Sequence, residues 1–239
     1  IPLTDAVEVV EAKEPALFTY GNPVDCPPEK NLVMKAYRLM EEEFILPPVA
    51  IHLYKHIPDG AGLGGGSSDA TSVAKILNSM FALGLSEEEI AVRGKRLGAD
   101  CPFFAYNRPM AARGIGDLLE PVDVDLRGYT MIVVKPDVSV PTAAAYAGVI
   151  PRVPETDVEK LVAKPVGQWK GLLVNDFEES IFPKHPELSA IKQSLYDAGA
   201  VYASMSGSGS AIFGLFEDDN LSDIFAAKCA QPLLYKMKL

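Results

Sequence analysis

Cysteine is scarce in this chain of 239 residues. Cys26, Cys101 and Cys229 are the only three, widely spaced and odd in number. No two stand in C-x-x-C spacing, which excludes a zinc ribbon and a disulfide framework and leads us to expect a reducing, cytoplasmic compartment. Cys101, in an apolar stretch beside Asp100, reads as a core thiol rather than a nucleophile. No side-chain cluster announces a metal site. No apolar run is long enough to span a membrane, and no secretory signal is visible. Positive charge is in deficit: 22 Lys and Arg against 32 Asp and Glu leave a net charge of −10. That balance argues against nucleic acid and anionic membrane as partners.

Apolar residues are not lacking. They make up 48% of the chain, enough for one large core or two small ones. Alternation predicts strands at residues 7–12 and 49–57, the latter setting Val49, Ile51 and Leu53 against Ala50, His52 and Tyr54. Between them Asn31 is suited to cap a helix running to about Phe44. A long helix with the stripe Val73, Ile76, Leu77, Met80 and Phe81 is expected to begin near Ser67 or Ser68. Either hydroxyl could cap it, and Asp69 would add negative charge to its first turn. Ser86 followed by Glu89 predicts a capping box opening a helix to about Leu97, with Gly98 as terminator. Further on, strands are expected at 129–134 and 211–216, helices at 186–198 and 218–227, and a closing strand. Pro136, Pro141, Pro151 and Pro154 mark a loop-rich middle. A domain boundary is expected near 126–129.

The chemistry-bearing feature is a run of glycines between the second strand and the long helix. It reads Gly60-Ala61-Gly62-Leu63-Gly64-Gly65-Gly66-Ser67-Ser68. Clustered glycines let main-chain amides close around an anion, and a helix N-terminus adds partial positive charge. The run lacks the Gly-Lys-Ser/Thr ending that a Walker-type NTPase requires. It formally fits G-x-G-x-x-G at Gly60, Gly62 and Gly65, but two successive helices follow where a dinucleotide fold needs a strand ending in an acid. A second run, Ser206-Gly207-Ser208-Gly209-Ser210, lies between two strand candidates, a frame unlike that of a flexible linker. Asp100 stands in the apolar stretch Leu97-Gly98-Ala99-Asp100-Cys101-Pro102-Phe103-Phe104, where a buried carboxylate would need a partner or a task.

The first run resembles the central phosphate loop of the GHMP kinases, and the second resembles that family's third glycine motif. The Asp100 stretch, Gly114-Ile115-Gly116, Val140-Pro141-Thr142 with Tyr146, and Asn175-Asp176-Phe177-Glu178 resemble segments of the family branch acting on a cytidyl diphosphate sugar alcohol. The likeness spans about residues 1–216. It implies an α+β, two-domain fold: a nucleotide-binding domain at 1–126, N-terminally incomplete, and a smaller substrate domain at 127–239. It further implies an ATP-dependent small-molecule kinase of non-mevalonate isoprenoid biosynthesis, with Mg²⁺ required by the chemistry.

The site carried over by the resemblance is as follows. Gly60, Gly62, Leu63, Gly64, Gly65, Gly66, Ser67 and Ser68, with Gly207, Ser208 and Gly209, would hold the nucleotide phosphates. Asn31 would lie near adenine, and Asp100 would orient or deprotonate the acceptor hydroxyl. Thr142 and Tyr146 would line the substrate pocket. Asn175–Glu178 is expected to be structural. A homoserine- or mevalonate-type acceptor, or a non-catalytic nucleotide-binding module, are the alternatives. The family's Lys-x-Asn segment and its Asp-Gly-Tyr/Phe-His element do not occur in these residues, and the chain opens on Ile1-Pro2-Leu3. A preceding segment is therefore expected, with weak turnover and an unpaired sheet edge in its absence.

Overall fold

The computed structural model describes residues 1–153, 156–229 and 233–239, so Pro154 lies outside the described residues. The chain divides into two compact units. The first comprises Leu3–Asp59 and Gly64–Pro121. The second comprises Ile1–Pro2, Gly60–Leu63 and Val122–Leu239.

In the first unit the elements are β1 (Ala6–Glu11), β2 (Ala16–Gly21), α1 (Leu32–Glu43), β3 (Val49–Lys55), α2 (Gly65–Met80), α3 (Glu87–Gly94), α4 (Cys101–Tyr106), β4 (Met110–Arg113) and β5 (Leu118–Pro121). Strand β3 is central, antiparallel to β1 and parallel to β2. Val49, Ile51 and Leu53 are buried, as their spacing predicts, and pack with Val33, Tyr37 and Met40 of α1 and Val73 and Leu77 of α2. The opposite sheet face is open: Phe18, Tyr20 and Tyr54 are exposed, and Phe18 stacks on His52 with ring centroids 4.9 Å apart.

Two helix starts follow their sequence signals. The Asn31 side chain accepts from the Val33 amide at 3.0 Å. Ser86 and Glu89 form the reciprocal capping box, an arrangement that satisfies two otherwise orphaned amides. Helix α3 ends earlier than expected, at Gly94. A side chain there would approach Cβ of Cys101 to 3.2 Å, so glycine permits α4 to close against α3. Gly98 therefore lies in the turn beyond the helix. Cys101 is fully buried in this core and burial pushes its thiol up, in keeping with an inert thiol.

The second unit contains β6 (Thr130–Lys135), α5 (Thr142–Gly148), α6 (Val158–Val162), α7 (Phe177–Ile181), α8 (Pro186–Asp197), β7 (Tyr202–Met205), β8 (Ile212–Phe216), α9 (Asp219–Lys228) and β9 (Leu233–Lys238). Its sheet has the order β7-β8-β6-β9, antiparallel throughout. Ile132, Val134, Ile212 and Phe216 of the sheet pack against Leu188, Ile191 and Leu195 of α8 and Phe225 of α9. The sequence pattern did not reveal β2 or β5, which are mostly exposed and lack a buried alternation, or the short helices α4 to α7, whose one or two turns leave little room for an apolar repeat.

Candidate active site

The glycine run approaches α2 through Gly60, Gly62 and Gly64, at φ of +63°, +72° and +70°. Helix α2 begins at Gly65, with Gly64 as its cap residue and no side-chain capping bond. This corrects the expected start at Ser67 or Ser68. Alternating left-handed glycines turn the chain directly into the helix, and both serines fall in the first turn. The amides of Gly65, Gly66 and Ser67 then lack intrahelical acceptors by construction, at the positive end of a sixteen-residue helix. A side chain at Gly64 would be strained and would crowd Phe104. A Cβ would lie 2.9 Å from the Phe104 ring, and the left-handed backbone costs other residues roughly 1–2 kcal/mol.

Asp69 does not decorate the first turn as expected. It is 4% exposed, and its Oδ2 accepts from Nζ of Lys55 at 2.8 Å. The same ammonium is held by Oδ2 of Asp5, whose Oδ1 accepts the His56 and Ile57 amides at 2.6 and 2.7 Å. Burial alone would lower the Lys55 pKa, but the two carboxylates outweigh it and raise it. One cation facing two buried carboxylates leaves an excess negative charge that burial penalises. Burial thus pushes Asp69 up to about 6, against the pull of Lys55. The cluster ties the end of β3 to α2 beneath the loop: a Cβ on Gly65 would sit 3.2 Å from Nζ of Lys55. A cavity of about 160 Å³ opens here, lined by Asn31, Leu32, Lys55, Gly66 and Asp69.

Asp100 immediately precedes α4 and makes no capping hydrogen bond. It is exposed, which corrects the expectation of a carboxylate buried in an apolar stretch. Its neighbours Cys101, Pro102 and Ala105 turn inward in α4, while the residue ahead of the helix stays in solvent. Its position is nonetheless set by α2. Thr71 Oγ1 donates to the Cys101 carbonyl at 3.0 Å, and Lys75 Nζ to that of Phe104 at 2.9 Å.

In the second unit, Gly62 meets the second glycine run. Ser206 Oγ donates to the Gly62 carbonyl at 2.8 Å, and the Ala211 amide donates to that of Ala61 at 3.0 Å. A Cβ on Gly62 would fall 2.2 Å from the Ser206 carbonyl oxygen, so only glycine fits. Gly207, Ser208 and Gly209 form the turn between β7 and β8, with Gly207 and Gly209 at φ of +52° and +86°. Thr142 is exposed at the start of α5, and Tyr146 is 66% exposed on the same helix. The Tyr146 ring packs edge-on against Phe177, centroids 4.9 Å apart. A cavity of about 530 Å³ brings Tyr146 together with Asn175, Phe177, Ser206 and Gly207.

Sequence reasoning assigned no role to Asp5 or Lys55, and to Asp69 only a charge in the first turn of α2. The signal was available for two of them. Lys55 continues the inward series Val49, Ile51, Leu53, and Asp69 precedes Val73 and Leu77 at helical spacing on the buried face. Asp5 is fifty residues from Lys55 and carries no local signal.

Among the described residues no three His, Cys, Asp or Glu side chains gather to hold a metal ion, and no helix is long and apolar enough to cross a membrane. Residues 31–108 match the GHMP kinases N terminal domain, and residues 158–232 match the GHMP kinases C terminal domain. The chain belongs to the GHMP kinase family and is a small-molecule kinase. Its relatives are more specific. It is 49% identical over 223 residues to the 4-diphosphocytidyl-2-C-methyl-D-erythritol kinase of Bacteroides thetaiotaomicron, covering 92% of this chain and 81% of the relative. Identity to the protein of that name from Bacteroides fragilis is 48% over 238 residues, covering 97% and 87%. A crystal structure of 4-(cytidine 5'-diphospho)-2C-methyl-D-erythritol kinase superposes with a TM-score of 0.78 at 30% identity, covering 98% of this chain and 85% of the other. The mevalonate kinase of Methanococcus jannaschii, at 14% identity and a TM-score of 0.76, shares the fold.

Proposed function

We propose that this chain transfers the γ-phosphoryl group of ATP to a hydroxyl of 4-diphosphocytidyl-2-C-methyl-D-erythritol, in the cytoplasmic, non-mevalonate route to isoprenoid precursors. The observation that carries this reading is the 49% identity across nine-tenths of the chain to a curated kinase of that name. The nucleotide-binding part is assigned to residues 1–126 and the C-terminal part to 127–239.

In this reading the amides from Gly62 to Ser67 receive the nucleotide phosphates, supported by the glycine backbone and the unpaired first turn of α2, whereas the Ser68 amide already donates to the Gly64 carbonyl. Ser67 and Ser68 add hydroxyl donors there, and Gly60, Leu63 and Gly64 to Gly66 keep the approach narrow. Asn31 stands beside the small cavity lined by Leu32 and Lys55, which suits a nucleobase edge. Gly207, Ser208 and Gly209 face the transferring group. Thr142 and Tyr146 contact the acceptor, an exposed aromatic ring being suited to stacking on a base. Asp100, exposed and uncapped, orients the acceptor hydroxyl and takes its proton. Mg²⁺ fits as part of the nucleotide substrate, since Asp5 and Asp69 are both engaged by Lys55. It would supply neutralisation of the charge on the phosphates. The remaining rate enhancement comes from positioning two substrates.

The test is an acceptor panel with the full-length protein and radiolabelled ATP. Label should pass to the cytidyl diphosphate substrate. Transfer to homoserine or mevalonate instead would overturn the acceptor assignment, and ATP binding without transfer to any acceptor would favour a non-catalytic module. The solved homoserine and mevalonate kinases, at 20% and 14% identity, share the fold alone and do not favour those acceptors.

A further inference from the structure

The turn between β7 and β8 is short of internal restraint. Gly207 and Gly209 both hold left-handed backbone, which glycine adopts freely but also leaves freely. Inside the turn the Ser206 amide donates to the Ala211 carbonyl at 2.8 Å and the Gly209 amide to that of Ser206 at 2.9 Å. Neither bond engages the carbonyl of Gly207, which lies at the exposed tip. That carbonyl accepts from Nδ2 of Asn175 at 2.8 Å, and the second proton of the same amide goes to the Met205 carbonyl, also at 2.8 Å.

Asn175 is itself locked. Its Oδ1 accepts the Phe177 amide at 3.0 Å, a local turn that fixes the side-chain rotamer. One turn further along α7, Glu178 completes the grip. Its Oε1 accepts the Met205 amide at 2.8 Å, and its Oε2 pairs with Lys192 of α8. Met205 is thus held through both its backbone groups, by Glu178 of α7 and by Asn175, two residues ahead of that helix. The same short helix carries Phe177, whose ring meets Tyr146 edge-on at 4.9 Å.

We propose that Asn175 is a positioning residue for phosphoryl transfer: its carboxamide sets the backbone of the Gly207–Gly209 turn and links that turn, through α7, to the Tyr146 side of the acceptor site. The inference rests on the proposed kinase function and gives that site its mechanical support. Asn175 touches neither reacting group; it acts through the amides and carbonyls it orients. A displacement of the order of 1 Å at such a turn costs roughly a hundredfold in rate.

Asn175→Asp tests this. The carboxylate keeps the size and the bond from Phe177 but presents oxygen to two carbonyl oxygens. Asn175→Ser is the second variant, since serine still supports the start of α7 but cannot reach both carbonyls. In each folded variant kcat should fall roughly ten- to a hundredfold, while ATP affinity by calorimetry falls clearly less than kcat, because the start of α2 still holds the rest of the nucleotide. Amide hydrogen exchange across 206–210 should rise about tenfold or more with residues 65–80 unchanged, because an opened restraint shows directly in exchange. A kcat within twofold of the parent, or unaltered exchange at 206–210 in both variants, would overturn the proposal. A fall in ATP affinity parallel to kcat would also overturn it, marking a merely structural role. Should the parent protein fail to phosphorylate any acceptor, the kinase reading falls, and the exchange data on the unliganded protein still decide whether Asn175 restrains the turn.

Discussion

Nζ of Lys55 lies 2.8 Å from Oδ2 of Asp69, with 2% and 5% of the two side chains exposed. The pair joins the last residue of β3 to the first turns of α2, and Asp5 completes it from the chain's opening segment. The helix N-terminus proposed to receive phosphate is therefore seated on a buried ion cluster rather than on apolar packing alone.

Removing the cation should be severe. Lys55→Met keeps the stem and leaves two buried carboxylates facing each other. Breaking a buried pair in this way costs about 3–5 kcal/mol. Urea denaturation should show a midpoint lowered to match, and a loss below about 1 kcal/mol would mean that water reaches the cluster.

The cluster also predicts a pH dependence. The Asp69 pKa is raised from 3.8 to about 6 in the folded chain. Between those values the native state holds a proton that the unfolded state has lost, so the Asp69 contribution favours folding at low pH and fades as pH rises through about 6. Relative to the parent, Asp69→Asn should be less stable at pH 4 than at pH 7. A pH-independent difference between the two proteins by denaturant titration would contradict the assignment.

Asp100→Asn should leave ATP binding intact and lower turnover by about 10²–10⁴, the usual worth of a positioned general base. Because Asp100 is exposed and caps nothing, the variant should melt close to the parent temperature. Unchanged turnover would remove Asp100 from the proposed mechanism.

Gly65→Val should weaken ATP binding by roughly tenfold or more, equivalent to about 1.4 kcal/mol. Even the first added carbon would lie 3.0 Å from Cγ2 of Ile57 and 3.2 Å from Nζ of Lys55. The branched chain must therefore displace the start of α2. Calorimetry decides it, and an unaltered affinity would place the phosphates elsewhere.

Much of the local structure was legible because its determinants are local. The Asn31 cap and the Ser86–Glu89 box depend on residues two or three apart, and the β3 alternation on period two. The glycine run announced a tight approach, yet the helix start within it was misplaced. Serines are good caps in general, and only the left-handed Gly64 made a side-chain cap unnecessary. Asp100 was read as buried from its apolar neighbours. One residue outside a helix, however, need not share the inward face of the residues within it.

The longer elements and their order, the glycine-lined turns and the chemical type of each site residue belong to the sequence itself, since they rest on backbone freedom, capping and periodicity over a few residues. Tertiary structure alone decided that Asp5, Lys55 and Asp69 form one buried cluster. It also decided that Asn175 supports Gly207 from thirty-two residues away. Such contacts depend on where distant segments meet in a packed core, and no local propensity encodes the partner across that separation.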